Sequence, residues 1–278
     1  SEDLSEAVKK SEAIFICVGT PNNMYGEVDL KYIYNSLDDI LRFKQSSFKV
    51  VVIKSTVPPS TVSQKLTKYI ELKGYKISND IGLASNPEFL REGFAFEDFI
   101  NPDRVIIGTE DEKSKKILEK IYLPFHTKIN YVNPTSAEFI KYLSNSLLGT
   151  LISFSNEMSM FADELGDVDV KKSFKILHND KRWSGSPAPM ANYVFPGCGF
   201  GGYCLPKDIT AVTRTALDYK VDLKILKNVI EVNEDIKKHS IKKITSTVSN
   251  QKSVGILGLS FKPDSDDVRH TPVADIIK

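Results

Sequence analysis

Short apolar runs recur through the first half of the chain, the first three of them ending in a loop marked by proline. Ile14–Val18 leads into Gly19-Thr20-Pro21, and Val50–Ile53 leads into Lys54-Ser55-Thr56-Val57-Pro58-Pro59. Runs that are apolar at every position predict strands buried on both faces of a parallel sheet. Further strands are predicted at Ile81–Ser85, ahead of Asn86-Pro87, and at Arg104–Gly108. Helical stretches fall between them, at Asp29–Leu41 and Ser60–Leu72. The alternation predicts an α/β fold with a parallel sheet of about four strands. Ligands of such sheets bind at the carboxyl ends of the strands. The loops 19–22, 55–59 and 86–93 are therefore placed at a candidate site.

Residues 134–165 follow a different period. Pro134 opens the stretch, Thr135 or Ser136 is suited to cap it, and Glu138 lies in its first turn. Leu147, Leu151, Phe154, Met158, Phe161 and Leu165 recur at alternating spacings of four and three, with Gly149 the one interruption. This predicts one apolar seam on a helix about 45 Å long. The seam reads either as the core face of a helix linking two domains or, in addition, as a dimer interface. A further helix is predicted over Leu223–Val248, then a strand over Lys252–Leu259 and a helix start at Pro272–Lys278. The resulting division is 1–133, 134–248 and 249–278. A strand, a loop and half a helix do not make a domain. With no Met at position 1, the expectation is a chain cut at both ends.

Composition narrows the class. The 278 residues carry a formal net charge of +1, which favours neither nucleic acid nor an anionic membrane. No stretch of 18 apolar residues predicts a membrane span, and the acidic start, Ser1–Glu6, is unlike a signal peptide. Three cysteines, Cys17, Cys198 and Cys204, match no zinc spacing. They suggest free thiols in a cytoplasmic protein.

The densest candidate chemistry is Phe195–Asp208, with four glycines, Gly197, Gly199, Gly201 and Gly202, ahead of Cys204. Such a run brings bare backbone against a ligand. A helix starting near Cys204 would favour its thiolate, as would Lys207. Asp208, four residues on, would face the same way. A glycine turn with an inert buried cysteine is equally open on these residues alone. Gly197–Gly202 also fits G-x-G-x-x-G, with Asp222 beyond it. It follows no clean apolar strand and no βαβ unit surrounds it, so it is rejected as a dinucleotide fingerprint. Glu88 and Glu92 are spaced four apart, as are Lys141 and Asn145, so each pair would share a helix face. Each is also an ordinary surface or ion-pair spacing.

Taken together, these segments resemble the UDP-glucose/GDP-mannose dehydrogenase family. The matching pieces, in family order, are Val18–Pro21, Ser55–Pro58, Asn86–Gly93, Asn101–Arg104, Lys141 with Asn145, Gly199–Asp208, and Phe261-Lys262 with Arg269. The resemblance implies a Rossmann-like NAD domain without its first strands and a central helical domain whose long helix dimerises. It also implies the start of a second Rossmann-like domain. It implies as well the four-electron oxidation of a UDP-sugar C6 alcohol to a carboxylate, with two NAD⁺ consumed. Cys204 would form a thiohemiacetal and then a thioester. Lys141 and Asn145 would stabilise the alkoxide, and Asp208, with Thr56 or Glu88, would activate water. NAD would be contacted by Val18, Gly19, Thr20, Pro21, Asn22, Ser55, Thr56, Val57, Glu92, Lys207 and Arg269. The sugar nucleotide would be contacted by Glu88, Phe89, Leu90, Lys141, Asn145, Phe195, Gly199, Phe200, Gly201, Phe261 and Lys262. The expected partner is a second copy, through the 134–165 helix.

The chain departs from the family in lacking the G-x-G-x-x-G cradle expected before Ser1, so this fragment is expected to bind NAD poorly. It also lacks a clear counterpart of a family Arg, for which Arg182 is the candidate. Tyr203–Asp208 resembles the UDP-glucose branch more than the acetylamino-sugar branch. The alternatives are a dehydrogenase for UDP-N-acetylmannosamine or GDP-mannose, a non-catalytic dimerising module, and a 6-phosphogluconate- or hydroxyacid-type reductase.

Overall fold

The computed structural model describes residues 3–43, 47–179, 196–218, 223–248, 253–261 and 265–278, with backbone alone at 157, 158, 160, 161, 164 and 165. The chain divides into two compact units, Ser1–Leu143 and Ser144–Lys278.

The first unit opens with α1 (Leu4–Lys10) and is built on β1 (Ala13–Ile16), β2 (Lys49–Ile53), β3 (Ile81–Ser85), β4 (Val105–Gly108) and β5 (Ile129–Val132). These form one sheet in the order β1-β2-β3-β4-β5. The β1–β2, β2–β3 and β4–β5 pairs are parallel, whereas β3 and β4 meet antiparallel at Ser85 and Gly108. The sheet is thus mostly parallel and one strand larger than the apolar runs predict. The strand missed, β5, is half-exposed with Asn130 within it, so it carries no continuous apolar signal.

β2 shows why its sequence is apolar throughout. Val51 and Ile53 face one core with Ile33, Leu37, Leu66 and Leu83, while Val50 and Val52 face the other with Ala84, Ile107 and Leu118. Successive side chains leave opposite faces, and helices cover both. The first face is closed by α2 (Lys31–Leu41), by a π-helical turn at Thr61–Leu66 and by α3 (Thr67–Leu72). The second face is closed by α5 (Glu112–Tyr122), which follows the short α4 (Ala95–Ile100). Asp29 does not begin the α2 helix. It stands just before it, accepting the Lys31 N–H at 2.8 Å.

α6 runs from Pro134 to Leu165, the bounds its sequence predicts. Its cap is Asn133, whose Oδ1 accepts the Ser136 N–H at 2.7 Å, rather than Thr135 or Ser136. Proline at the first helical position leaves the capping role to the residue before it. Among its described members, the predicted apolar seam is exposed at Leu147 and Phe154, by 49% and 47%, and half-buried at Leu151. From Ser144 onward, the buried side chains described on α6 are small or polar instead, Ser146, Ser153, Ser155, Asn156 and Ala162. Gly149 lies on that inner face because a Cβ there would overlap Ile209. Met158, Phe161 and Leu165 have no described side chains.

The second unit adds α7 (Val170–Leu177), α8 (Cys204–Asp218), α9 (Lys224–Thr247) and α10 (Pro272–Ile277). Its core joins Phe200, Ile209 and Val229, with Ile152, Leu205, Leu226 and Ile230 around them. Asp163 clasps α6 to α9, receiving His239 Nε2 and Lys243 Nζ, each at 2.9 Å. The strand predicted at Lys252–Leu259 is not formed over 253–259. A strand needs a neighbour for its N–H and C=O groups; among the described residues that stretch has none, and Leu257 is fully exposed.

Candidate functional site

In the first unit, the loops after β1 and β2 are tied together. Thr20 Oγ1 donates to the Thr56 carbonyl at 2.8 Å, and Ser55 Oγ donates to the Val18 carbonyl at 2.7 Å. Gly19 is exposed, and a Cβ on it would meet nothing within 4 Å. Bare backbone therefore borders open space at the carboxyl end of the sheet, which fits the approach of a dinucleotide to these loops. Asn22 is bridged to Val28 across a tight hairpin, and Val57 is buried beneath the second loop.

Glu88 and Glu92 do not share a helix face. Residues 86–91 form no helix, and Glu92 stands in a turn before α4. Pro87 lacks an N–H, and the Glu88 carboxylate bonds its own loop instead, Oε2 accepting the Leu90 N–H at 2.6 Å. Its Oε1 accepts from Lys141 Nζ at 2.8 Å. That ammonium is 5% exposed and lies 5.5 Å from the Phe89 ring centroid. Buried Lys141 and half-buried Glu88 thus form an ion pair carried by α6 and the post-β3 loop.

A polar group beside them is not indicated by any spacing. Lys54 Nζ donates to Asn86 Oδ1 at 3.1 Å and lies 6.0 Å from the Tyr122 ring centroid. Tyr122 OH donates to the same Oδ1, and Asn86 Nδ2 donates to the Ile106 carbonyl at 2.7 Å. Burial pulls Lys54 down to about 8; Glu88 and Cys17 oppose the fall and Lys141 adds to it. Burial likewise pushes Tyr122 up to about 12. Sequence hides this cluster because its members are separated by more than 30 residues and meet only where strands end together.

In the second unit, α8 begins at Cys204, whose side chain is exposed. A thiol at a helix start lies in the positive end of the helix dipole. Asp208 is four residues along the same helix but is 1% exposed, so the two do not present alike. Its carboxylate accepts from Asn145 Nδ2 and pairs with Lys207 Nζ at 2.7 Å. Lys207 also lies 5.5 Å from the Tyr203 ring centroid. Gly202 has φ +75°, donates its N–H to the Arg269 carbonyl at 3.1 Å, and lies against the Phe261 ring. The Arg269 guanidinium pairs with Asp267 and sits 5.0 Å from Tyr203. Phe195, Lys262 and Arg182 lie outside the described residues.

Each unit therefore gathers its own candidates. The first joins the 18–22 and 55–57 loops and pairs Glu88 with Lys141. The second sets Lys207 and Asp208 within the first turns of the helix that starts at Cys204, with Asn145 of α6 donating to Asp208. An exposed thiol near a buried, doubly held carboxylate suits covalent chemistry followed by activation of water.

Residues 1–126 match the NAD binding domain of the UDP-glucose/GDP-mannose dehydrogenase family, and residues 135–235 match that family's central domain. The UDP-glucose 6-dehydrogenase of Rickettsia bellii is 40% identical over 281 residues, covering 99% of this chain and 62% of that protein. The solved UDP-glucose dehydrogenase of Pyrobaculum islandicum superposes with a TM-score of 0.89 at 36% identity, over 99% of this chain and 63% of the other. The UDP-D-ManNAc dehydrogenase of Pyrococcus horikoshii superposes at 0.83 and 27% identity, over 98% and 63%. The chain thus spans about six-tenths of the length of these relatives.

Proposed function

The chain belongs to the UDP-glucose/GDP-mannose dehydrogenase family, and from that membership we propose that it takes part in NAD-dependent oxidation of a UDP-sugar C6 alcohol to the carboxylate. UDP-glucose is the favoured substrate, because the relatives of higher identity carry that name. Bound NAD⁺ would supply the hydride acceptor, and the loops 18–22 and 55–57 would receive it, with Glu92, Lys207 and Arg269 as further contacts.

The protein's own groups supply the rest. Loss of a hydride and a proton from the C6 alcohol would first leave an aldehyde, to which the Cys204 sulfur adds, forming a C–S bond and leaving an oxygen that takes a proton. Loss of a second hydride, for which bound NAD⁺ would be the acceptor, together with the hydroxyl proton of that thiohemiacetal would give a thioester. Water then cleaves the C–S bond, releasing the carboxylate and restoring the thiol. Lys141 and Asn145 stabilise the developing alkoxide as fixed donors. Asp208 draws the proton from water, with Thr56 or Glu88 assisting. Phe89, Leu90, Gly199–Gly201 and Phe261 shape the sugar-nucleotide site, with Phe195 and Lys262 assigned to it by resemblance alone.

The observation that carries this reading is the exposed thiol at the first residue of α8, one turn from a buried Asp208 held by Asn145 and Lys207. Cys204→Ser should lower acid formation by about a thousandfold or more, followed as NADH release and product carboxylate. Undiminished acid from that variant would end the thioester mechanism. A panel of UDP-glucose, UDP-N-acetylmannosamine and GDP-mannose identifies the sugar. We propose further that two copies associate through the outer stripe of α6.

A further inference from the structure

Residues 196–203 form neither helix nor strand, so no backbone ladder fixes the approach to Cys204. Its main-chain groups are anchored one at a time. Asn156 Oδ1 on α6 accepts the Gly197 N–H at 2.6 Å, and the Arg269 carbonyl accepts the Gly202 N–H. Between these, Asn233 on α9 engages both main-chain groups of Phe200. Its Oδ1 accepts the Phe200 N–H at 2.7 Å, and its Nδ2 donates to the Phe200 carbonyl at 3.0 Å. A carboxamide holds an acceptor and donors side by side in one plane, so it replaces the partner strand that Phe200 lacks.

The clasp is dry. Asn233 is 5% exposed, and the Phe200 ring packs with Ile209 and Val229. Gly199 tightens it from the loop side. Its φ is +105°, and a Cβ there would lie 2.7 Å from Asn233 Oδ1 and 3.2 Å from Ile236 Cγ2. Both the backbone angle and the space require glycine, and the run has no room to slide along α9. Losing the amide would leave two buried main-chain groups of Phe200 without partners, four residues before the sulfur.

We propose that Asn233 is a positioning residue for the Cys204 thiol. By docking the glycine run on α9, its carboxamide fixes where α8 begins and so where the sulfur stands. This rests on the reading of Cys204 as the nucleophile. Asn233 acts through Phe200 and touches no reacting atom.

The test compares the parent enzyme with Asn233→Ala and with Gly199→Ala, which presses on the same contact from the opposite side. Iodoacetamide labelling of Cys204 is followed peptide by peptide, with exposed Cys17 in the other unit as internal reference. Hydrogen exchange at the Phe200 amide reports the opening of the clasp. Labelling of Cys204 relative to Cys17 should slow by about tenfold in both variants, because a small misplacement of a reacting group costs rates of that order. In Asn233→Ala, kcat should fall by a similar factor while KM for the nucleotide sugar stays within about twofold, and Gly199→Ala is read by its Cys204 labelling alone. A merely structural role would lower the melting temperature without that split. Faster Phe200 exchange in a folded variant whose Cys204 labelling and kcat are unchanged would overturn the proposal. If Asn233→Ala does not fold, Gly199→Ala carries the test alone. Slower labelling together with undiminished acid formation by Cys204→Ser would keep the positioning role and reject the nucleophile.

Discussion

Glu138 shows what burial does to a single residue. It is 2% exposed on α6, and its Oε1 accepts the Val62 N–H at 2.8 Å. Burial pushes its carboxyl up to about 8, against the lowering pull of the Val62, Ser60 and Thr61 N–H groups and of Lys65. An acid whose pKa rises on folding holds its proton in the folded state over a range where the unfolded chain has lost it. Its contribution is complete below the ordinary value of 4.5 and is lost as pH rises through about 8. Gln at this position keeps an acceptor and does not titrate. The melting temperature of the parent should therefore fall relative to Glu138→Gln between those limits and run level with it above them. A constant difference across that range would show that Glu138 does not titrate there.

At the scale of an element, α6 separates pattern from placement. Its length follows from its period, yet its apolar seam faces outward at Leu147 and Phe154, in line with exposed Phe139 and Leu143. Exposed aromatic and aliphatic side chains along one helix are the usual mark of a contact with another chain. Replacing Leu147 and Phe154 together by Glu should convert the proposed dimer to monomer in sedimentation while leaving the helical circular dichroism intact. A double variant that sediments unchanged would place the contact elsewhere. The inner face explains the reversal. Close packing of α8 at Gly149 and polar anchoring by Asn156 require small or amide side chains, so the core of the second unit selects the residues that periodicity counts as polar.

At the scale of the whole molecule, each compact unit has its own core. Leu66 is fully buried beneath the first sheet face, in the core of Ser1–Leu143. Leu66→Ala should cost about 2–5 kcal/mol, as deletion of buried methyl groups does. Hydrogen exchange should quicken in residues of Ser1–Leu143 before those of Ser144–Lys278. Equal loss of protection in both units would show a single cooperative fold.

The sequence alone determined the features written in consecutive residues. β2 and β3 are visible because strands buried on both faces must be apolar at every position, and α6 because Pro134 marks its start and its period holds from Leu147 to Leu165. The glycine run with Cys204, Lys207 and Asp208 is visible because those residues lie within one short stretch. Only the tertiary structure decided what depends on meeting across the chain. It left 86–91 outside any helix, paired Glu88 with Lys141, assembled Lys54, Asn86 and Tyr122 where separate elements end, and set Asn233 against Phe200. A hydrogen bond or a buried charge is stable only in the company that the fold assembles, and local pattern carries no record of partners 30 or more residues away.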